Sequence, residues 1–393
     1  MWRDVRLIAL LAVGSLAVMA GGVVAPILPQ LIVALNVDPS VGGSLVSLHF
    51  LTVALSTPIW GFLANRFGHI PVMILSLVSY ALFGVLGAFT QDLWMLMMLR
   101  GLLGVASGGI AATGIGLLGK LYTGEARIQA IAYVASTLTL ANIVYPLMGG
   151  WIGSIHWKLP FGLYIISLPL SIWIFFVFNI KERKGLSSEE EPSLLGGADQ
   201  ALQIFTTPST LKFLAALSIA SGSVYAVVAY LPIYIQSLLD LGSGFSGFIL
   251  SVQAIGAATS SAFIMRNVIR RFGTIGAIVI GLFLMALMLS LFPVPKSLLL
   301  LLVISILFGL GFGLVVPGLY NALADSVEPD NQSSILAVGT GASFLGQFLS
   351  PILLGILIRY SDLSTVFYFT SFILLLVGFG LMVNRKPSPQ LKN

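Results

Sequence analysis

The chain has 393 residues, of which 58% are hydrophobic and 8% charged, with a mean hydropathy of +1.03 and a formal net charge of +5. So few charges cannot coat a water-facing surface, which excludes a soluble globular domain and makes this an integral membrane protein. Cysteine is absent, so disulfides and thiolate metal sites are excluded as well. His49, His69 and His156 are too widely spaced to form a metal-ligand motif.

A spanning helix needs ~20 apolar residues. Taken in chain order, the apolar runs lie at about 6–34, 41–63, 71–90, 93–118, 128–154, 160–180, 211–238, 245–268, 274–292, 297–324, 332–358 and 363–384. They are continuously apolar and lack the alternation of a barrel strand, which predicts an all-α membrane protein with twelve transmembrane helices. The first run is too long for a removed signal and is read as a retained helix. With a cytoplasmic N-terminus, the inner side receives fifteen Lys and Arg and the outer side receives Lys158, Lys296 and Arg359. That asymmetry places both termini inside. The sequence pI near 9.4 therefore reflects topology and predicts no nucleic-acid partner.

Residues 181–210 form the long polar segment between spans six and seven. The expected organisation is a six-helix bundle over 1–180, a cytoplasmic loop over 181–210, a second bundle over 211–386 and a short cytoplasmic tail over 387–393. An offset of 205 superimposes Arg66, Phe67 and Gly68 on Arg271, Phe272 and Gly273. It also carries Gly104 to Gly309, Glu125 to Asp330, Asn142 to Gln347, Pro146 to Pro351 and Gly150 to Gly355. Two parallel repeats of six spans predict two pseudo-symmetric bundles with a cleft between them.

The stretch GFLANRFGHI, Gly61 to Ile70, resembles the loop between the second and third helices of the major facilitator superfamily, matching at Gly61, Leu63, Ala64, Arg66 and Gly68. Asn65 stands where the family pattern has an acid. In span four, Arg100 and Gly104 match a second family stretch, and in span five Pro146, Gly149 and Gly150 resemble an element of the twelve-span drug:proton antiporters. The resemblance covers nearly the whole chain and implies the major facilitator fold and transport by alternating access.

It also implies a conformational gate at Gly61, Asn65, Arg66, Gly68, Arg271 and Gly273. Simple positive-inside anchoring is the other reading of these arginines. Asn65 is expected to accept a backbone hydrogen bond at a helix N-terminus, giving a weaker latch than the family's acid. Helix kinks and close packing are expected at Gly104, Pro146, Gly149, Gly150, Pro351 and Gly355.

Arg100 falls inside span four, where a charge costs at least ~2.5–3.5 kcal/mol on insertion scales. All fourteen acids fall near the inner or outer ends, so no mid-span carboxylate is available as its partner or as a proton carrier. His49, at similar depth in span two, is the remaining titratable group. His49 and Arg100 are the candidates for coupling or substrate charge, with a hydrogen-bonded structural histidine as the alternative. Asn142, Tyr145, Gln253, Tyr320, Asn321 and Gln347 are the candidate cavity-lining residues.

No phosphate-binding loop and no catalytic grouping is present, so neither enzyme activity nor a cofactor is expected. The expected function is secondary active transport, exporting lipophilic or amphipathic small molecules with protons as a coupling ion. An uptake carrier or uniporter for an organic acid, sugar or other metabolite is the alternative. A functional monomer in a bacterial inner membrane completes the reading.

Overall fold

The computed structural model describes residues 4–178, 208–294, 297–328 and 331–383. Most of the expected central loop, all of the expected tail and Asp330 lie outside the described residues. Two compact units emerge. The first holds 4–178 together with Ile235–Ser251, and the second holds 208–234 and the described residues from Val252 onward.

In chain order the first stretch forms α1 (Val5–Gly22), a 3-10 turn (Ala25–Ile27), α2 (Leu28–Ala34), α3 (Pro39–Phe67), α4 (His69–Leu86), α5 (Leu93–Leu121), α6 (Gly124–Ile155), a 3-10 segment (Leu159–Ile166) and α7 (Ser167–Val177). There follow α8 (Pro208–Leu239), α9 (Ser243–Thr259), a π-turn (Ser260–Ile264), α10 (Met265–Leu291), α11 (Leu298–Ala324), α12 (Gln332–Ile358) and α13 (Leu363–Val383). The described residues contain no strand. Helices are what such runs must form, because lipid offers backbone N–H and C=O groups no partners.

The single run expected over 6–34 is broken into α1, the 3-10 turn and α2. Pro26 and Pro29 lie in that stretch and cannot donate the i to i−4 bonds that would continue α1. Eleven helical stretches among the described residues are long and apolar enough to cross a membrane. One of them, Ser243–Leu291, is 49 residues long, about twice what a crossing needs. It breaks at Gly273, whose φ of 74° and ψ of 169° are non-helical. The stretch therefore holds two crossings, and the expected twelve are all present.

The internal repeat is visible in backbone geometry. Gly68, between α3 and α4, has φ 93° and ψ 144°, close to the values at Gly273. Each reversal takes one residue in a conformation that L side chains avoid. The Arg66 guanidinium lies 5.4 Å from the Phe67 ring, and that of Arg271 lies 5.4 Å from Phe272. Asp92 and Ser297, also 205 apart, both cap their helices by accepting the backbone N–H three residues on.

Glycine packing repeats as well, with a change of register. Gly104 and Gly108 of α5 rest on the backbone of His49 and Val53, and Gly309 and Gly313 of α11 rest on that of Gln253 and Ala257. The glycines are 205 apart, but the residues beneath them are 204 apart. Pro39 and Ser243, which open α3 and α9, are also 204 apart. By Gly68 and Gly273 the spacing is 205 again. The π-turn at Ser260–Ile264 lies in the interval where the extra residue enters, and a π-turn is the way a helix absorbs one.

Asp4 ties the start of α1 to the end of α5. Its Oδ1 accepts from the Arg6 backbone N–H at 3.0 Å, and its Oδ2 accepts from the Tyr122 hydroxyl at 2.6 Å. Burial opposes the carboxylate, but the Tyr122 and Arg6 hydrogen bonds and the Arg6 charge outweigh it and hold Asp4 below the ordinary value of 3.8. A depressed folded pKa stabilises the fold above the unfolded value and loses that effect as pH falls through the folded one. Thermal unfolding in micelles should therefore show an Asp4 contribution across the neutral range that fades only in acid. Asp4→Ala should lower stability by ~1 kcal/mol, as loss of an N-cap does. An unchanged midpoint at pH 7 would contradict this assignment.

Candidate functional site

Arg100 lies on α5 with 2% of its surface exposed. Its Nε donates to the Leu45 carbonyl of α3 at 3.1 Å, and its Nη1 donates to the Tyr164 hydroxyl at 3.0 Å. Tyr164, from the 3-10 segment after α6, donates in turn to the Ala20 carbonyl of α1 at 2.9 Å. One guanidinium thus holds three other elements of the first unit. Glycine makes the arrangement possible: a Cβ on Gly84 of α4 would collide with the Tyr164 ring, and one on Gly87 would lie 2.6 Å from Phe161. Tyr80 packs edge-on against Tyr164 at 5.4 Å and donates to the Leu16 carbonyl at 2.6 Å.

His49 is one helical turn from Leu45 on α3 and is 1% exposed. Its ring lies 4.0 Å from that of Phe50, and neither ring nitrogen has a hydrogen-bond partner among the described residues. The same holds for Nη2 of Arg100. Asp92, the acid nearest in sequence, is engaged in capping α5, and the guanidinium contacts no carboxylate among the described residues.

Tyr164→Phe would leave Nη1 without its acceptor and the Ala20 carbonyl without its donor. A buried group left unpaired costs ~1–3 kcal/mol, so this variant should unfold at distinctly lower temperature or denaturant concentration in micelles. Equal stability would show that the hydroxyl holds nothing together.

The expected gate residues cluster at the α3–α4 reversal and its repeat. Asn65 and Arg66 are exposed, Gly68 is buried, Arg271 is exposed and Gly273 is half-buried. One detail differs from expectation. Asn65 belongs to the last turn of α3, and the N-cap of α4 is Gly68, which has no side chain to cap with. No atom comes within 4 Å of where a Gly61 Cβ would be, so no neighbour requires a glycine there.

Of the expected cavity residues, Asn142 and Tyr145 belong to the first unit and Gln253, Tyr320, Asn321 and Gln347 to the second. Asn142 is exposed and donates to its own helix at the Leu138 carbonyl, 2.8 Å away. Tyr145 pairs with the Ser15 hydroxyl at 2.8 Å. In the second unit Tyr320 lies 3.4 Å from the Thr340 hydroxyl, Asn321 is exposed, and Gln347 donates to Ser343, which is bonded to Ser221 at 2.6 Å. Gln253 is 6% exposed, and its Oε1 is unpartnered.

The prolines sit inside helices that run on through them. Around Pro146, a seam that periodicity alone did not reveal lies within the first unit. Ser243, Gly247 and Ser251, four residues apart on α9, lie along α6. Ser243 donates to the Gly150 carbonyl at 3.1 Å and Ser251 to the Ile143 carbonyl at 2.6 Å. A Cβ on Gly247 would collide with the Pro146 carbonyl, and one on Gly149 would lie 2.5 Å from Cα of Val23. The small residues of α9 were the available signal, since such stripes let helices approach closely. Gly355 is buried in α12, and Tyr230 donates to the Pro351 carbonyl beside it.

Comparison with known proteins places this geometry in context. The family model described as Major Facilitator Superfamily matches residues 10–275 and 239–393. Multidrug resistance protein 1 of Bacillus subtilis (strain 168) is 22% identical over 390 residues, covering 99% of this chain and 98% of that protein. Tetracycline resistance protein, class B, of Escherichia coli is 26% identical over 282 residues, covering 69% of this chain and 68% of its own. Among solved structures, a bacterial homologue of the human lysosomal transporter Spinster aligns with a TM-score of 0.79 at 14% identity, covering 97% of this chain and 95% of that one.

Proposed function

The chain belongs to the major facilitator superfamily and is a multi-pass membrane transporter rather than an enzyme, and we propose that it exports lipophilic or amphipathic small molecules in exchange for protons, favouring neutral and anionic compounds over cations. The observation that carries the charge preference is Arg100, a buried guanidinium with no carboxylate partner among the described residues, in a sequence with no mid-span acid. A site of that sign attracts negative charge and repels positive charge. Relatives that are named for multidrug and tetracycline resistance support the direction of transport. In this reading 1–180 and 211–386 are the bundles that rock, both termini are cytoplasmic, the reversals at Gly68 and Gly273 belong to the gate, and His49 is the group that exchanges the proton.

Retention of fluorescent compounds tests the substrate class. Cells expressing the chain should retain less of a neutral or anionic amphipathic dye than control cells and as much of a lipophilic cation. Preferential loss of the cation would contradict the charge preference.

A further inference from the structure

His69 opens α4 and is 4% exposed. Its ring lies in a notch on the last turns of α5, where a Cβ on Gly116 would collide with Nε2 and lie 2.5 Å from Cδ2. The missing side chain at Gly116 is what admits the imidazole, and the ring in turn fastens the α3–α4 reversal to α5. Its Nδ1 is buried and has no hydrogen-bond partner among the described residues.

The notch suits a neutral ring and not a charged one. An imidazolium carries N–H on both nitrogens, and the one on Nδ1 would face no acceptor. The charges around it are also of the wrong sign. Lys120 is four residues beyond Gly116 on α5, so the two share a face, and a helical side chain leans toward its N-terminus, here toward the notch. As the first residue of α4, His69 sits at the positive end of that helix, and its N-cap, Gly68, makes no side-chain cap. The elements packed against α4 are α3, α5, α7 and the neighbouring 3-10 segments. The ionisable groups that they bring to this end are Arg66 from α3 and Lys120 from α5, with Tyr122 just after it, while α7 carries none. Asp92 and Tyr164 are engaged elsewhere, in capping the start of α5 and in holding Arg100. Asp4, the acid tied to Tyr122, already accepts from that hydroxyl and from the Arg6 backbone. A proton on the docked ring would bury a charge without a counter-charge, which is strongly unfavourable.

We propose that His69 is a proton-operated latch: protonation of the ring expels it from the Gly116 notch and releases the α3–α4 reversal from α5. In the orientation proposed above this end is cytoplasmic, so the latch answers to cytoplasmic acid; the side rests on that topology, and the latch itself does not. The docked form takes no proton, whereas the released ring is solvated and titrates at about 6.5. The released population therefore grows as pH falls, by about tenfold between pH ~7.5 and ~5.5.

The chain has no cysteine, so a single thiol can report the change. Ala64→Cys, at a 0% exposed position whose carbonyl accepts from the Gly68 N–H, reads release of the reversal. Asn65→Cys, at the exposed neighbour, corrects for the pH dependence of the thiol. With full-length protein in micelles, the ratio of the two maleimide labelling rates should rise about tenfold between pH ~7.5 and ~5.5. In a His69→Gln background, which is neutral throughout, the ratio should stay low and constant. Gly116→Ala, which fills the notch, and His69→Arg, which is permanently charged, should give a high ratio at both pH values. If these two cannot be purified, the histidine-bearing protein against His69→Gln decides. A ratio that does not change with pH while His69 is present, or one that rises equally in His69→Gln, would overturn the proposal. Because the readout is docking and not transport, failure here would leave the export reading intact, and a failed dye-retention test would leave the latch intact.

Discussion

Replacing Gly104 or Gly309 with valine should abolish accumulation of folded protein, and alanine at either position should lower stability by ~1–3 kcal/mol or more. The reason is the proximity of backbone to backbone. A Cβ on Gly104 would lie 2.5 Å from the His49 carbonyl oxygen and 2.9 Å from its Cα, and one on Gly309 would lie 2.9 Å from the carbonyl carbon of Gln253 and 3.0 Å from the amide nitrogen of Ala257. Backbone atoms cannot rotate away as a side chain can, so the helices must separate. Separation would draw Leu45 away from Arg100 in the first unit, so Gly104 variants should also lose function at temperatures where Gly309 variants that remain folded still work. Size-exclusion profiles and unfolding midpoints of Gly104→Ala, Gly309→Ala and Gly114→Ala test this. Gly114, with no atom within 4 Å of its Cβ position, should tolerate alanine without loss. Equal behaviour of all three would mean that the close approach is not what these glycines provide.

The second large effect is expected at Arg100. Arg100→Met should reduce transport of neutral and anionic substrates at least ~100-fold, as misplacement of a binding constellation can, while leaving the protein folded or even more stable. The stability result follows because removing an uncompensated buried charge and substituting a side chain of similar length relieves a desolvation cost. Arg100→Lys keeps the charge but not the planar fork that reaches both the Leu45 carbonyl and the Tyr164 hydroxyl, so it should fall between the two. Stability and initial transport rate must be measured on the same preparations. A variant that is folded, stable and fully active would show that Arg100 takes no part in transport.

The fold was legible in the sequence because membrane spans obey one dominant constraint. Continuous apolar runs of the required length must be helices, and the structure adds local detail within them, a 3-10 turn between α1 and α2 and a 3-10 segment at the start of the sixth run. The repeat was legible through Arg66 and Arg271 and their following glycines, because charged loops and positive-φ positions tolerate few residues. The site was less legible. Arg100 and His49 stood out because polarity inside a span is costly, but nothing in their spacing said that the guanidinium would engage Leu45, Tyr164 and, through it, Ala20. Those bonds depend on helix rotation and on the collision space at Gly84 and Gly87. The seam along α6 shows the same limit, because Ser243, Gly247 and Ser251 carry no charge or motif that marks them in the sequence. The change in register between α3 and α9 was also invisible to a constant offset, since a single added residue in a helix leaves an apolar run looking unchanged.

The central claim, export in exchange for protons without a membrane-embedded acid, is tested most directly in inside-out vesicles with an acidic interior and a pH-sensitive dye, to which lipophilic cations, neutral compounds and organic anions are added in turn. The account predicts that a neutral or anionic compound dissipates the gradient and that His49→Gln or Arg100→Ala abolishes the effect. If no class dissipates it while labelled compounds still equilibrate through the purified protein, the chain is a facilitator or is coupled differently, and the exporter reading is wrong.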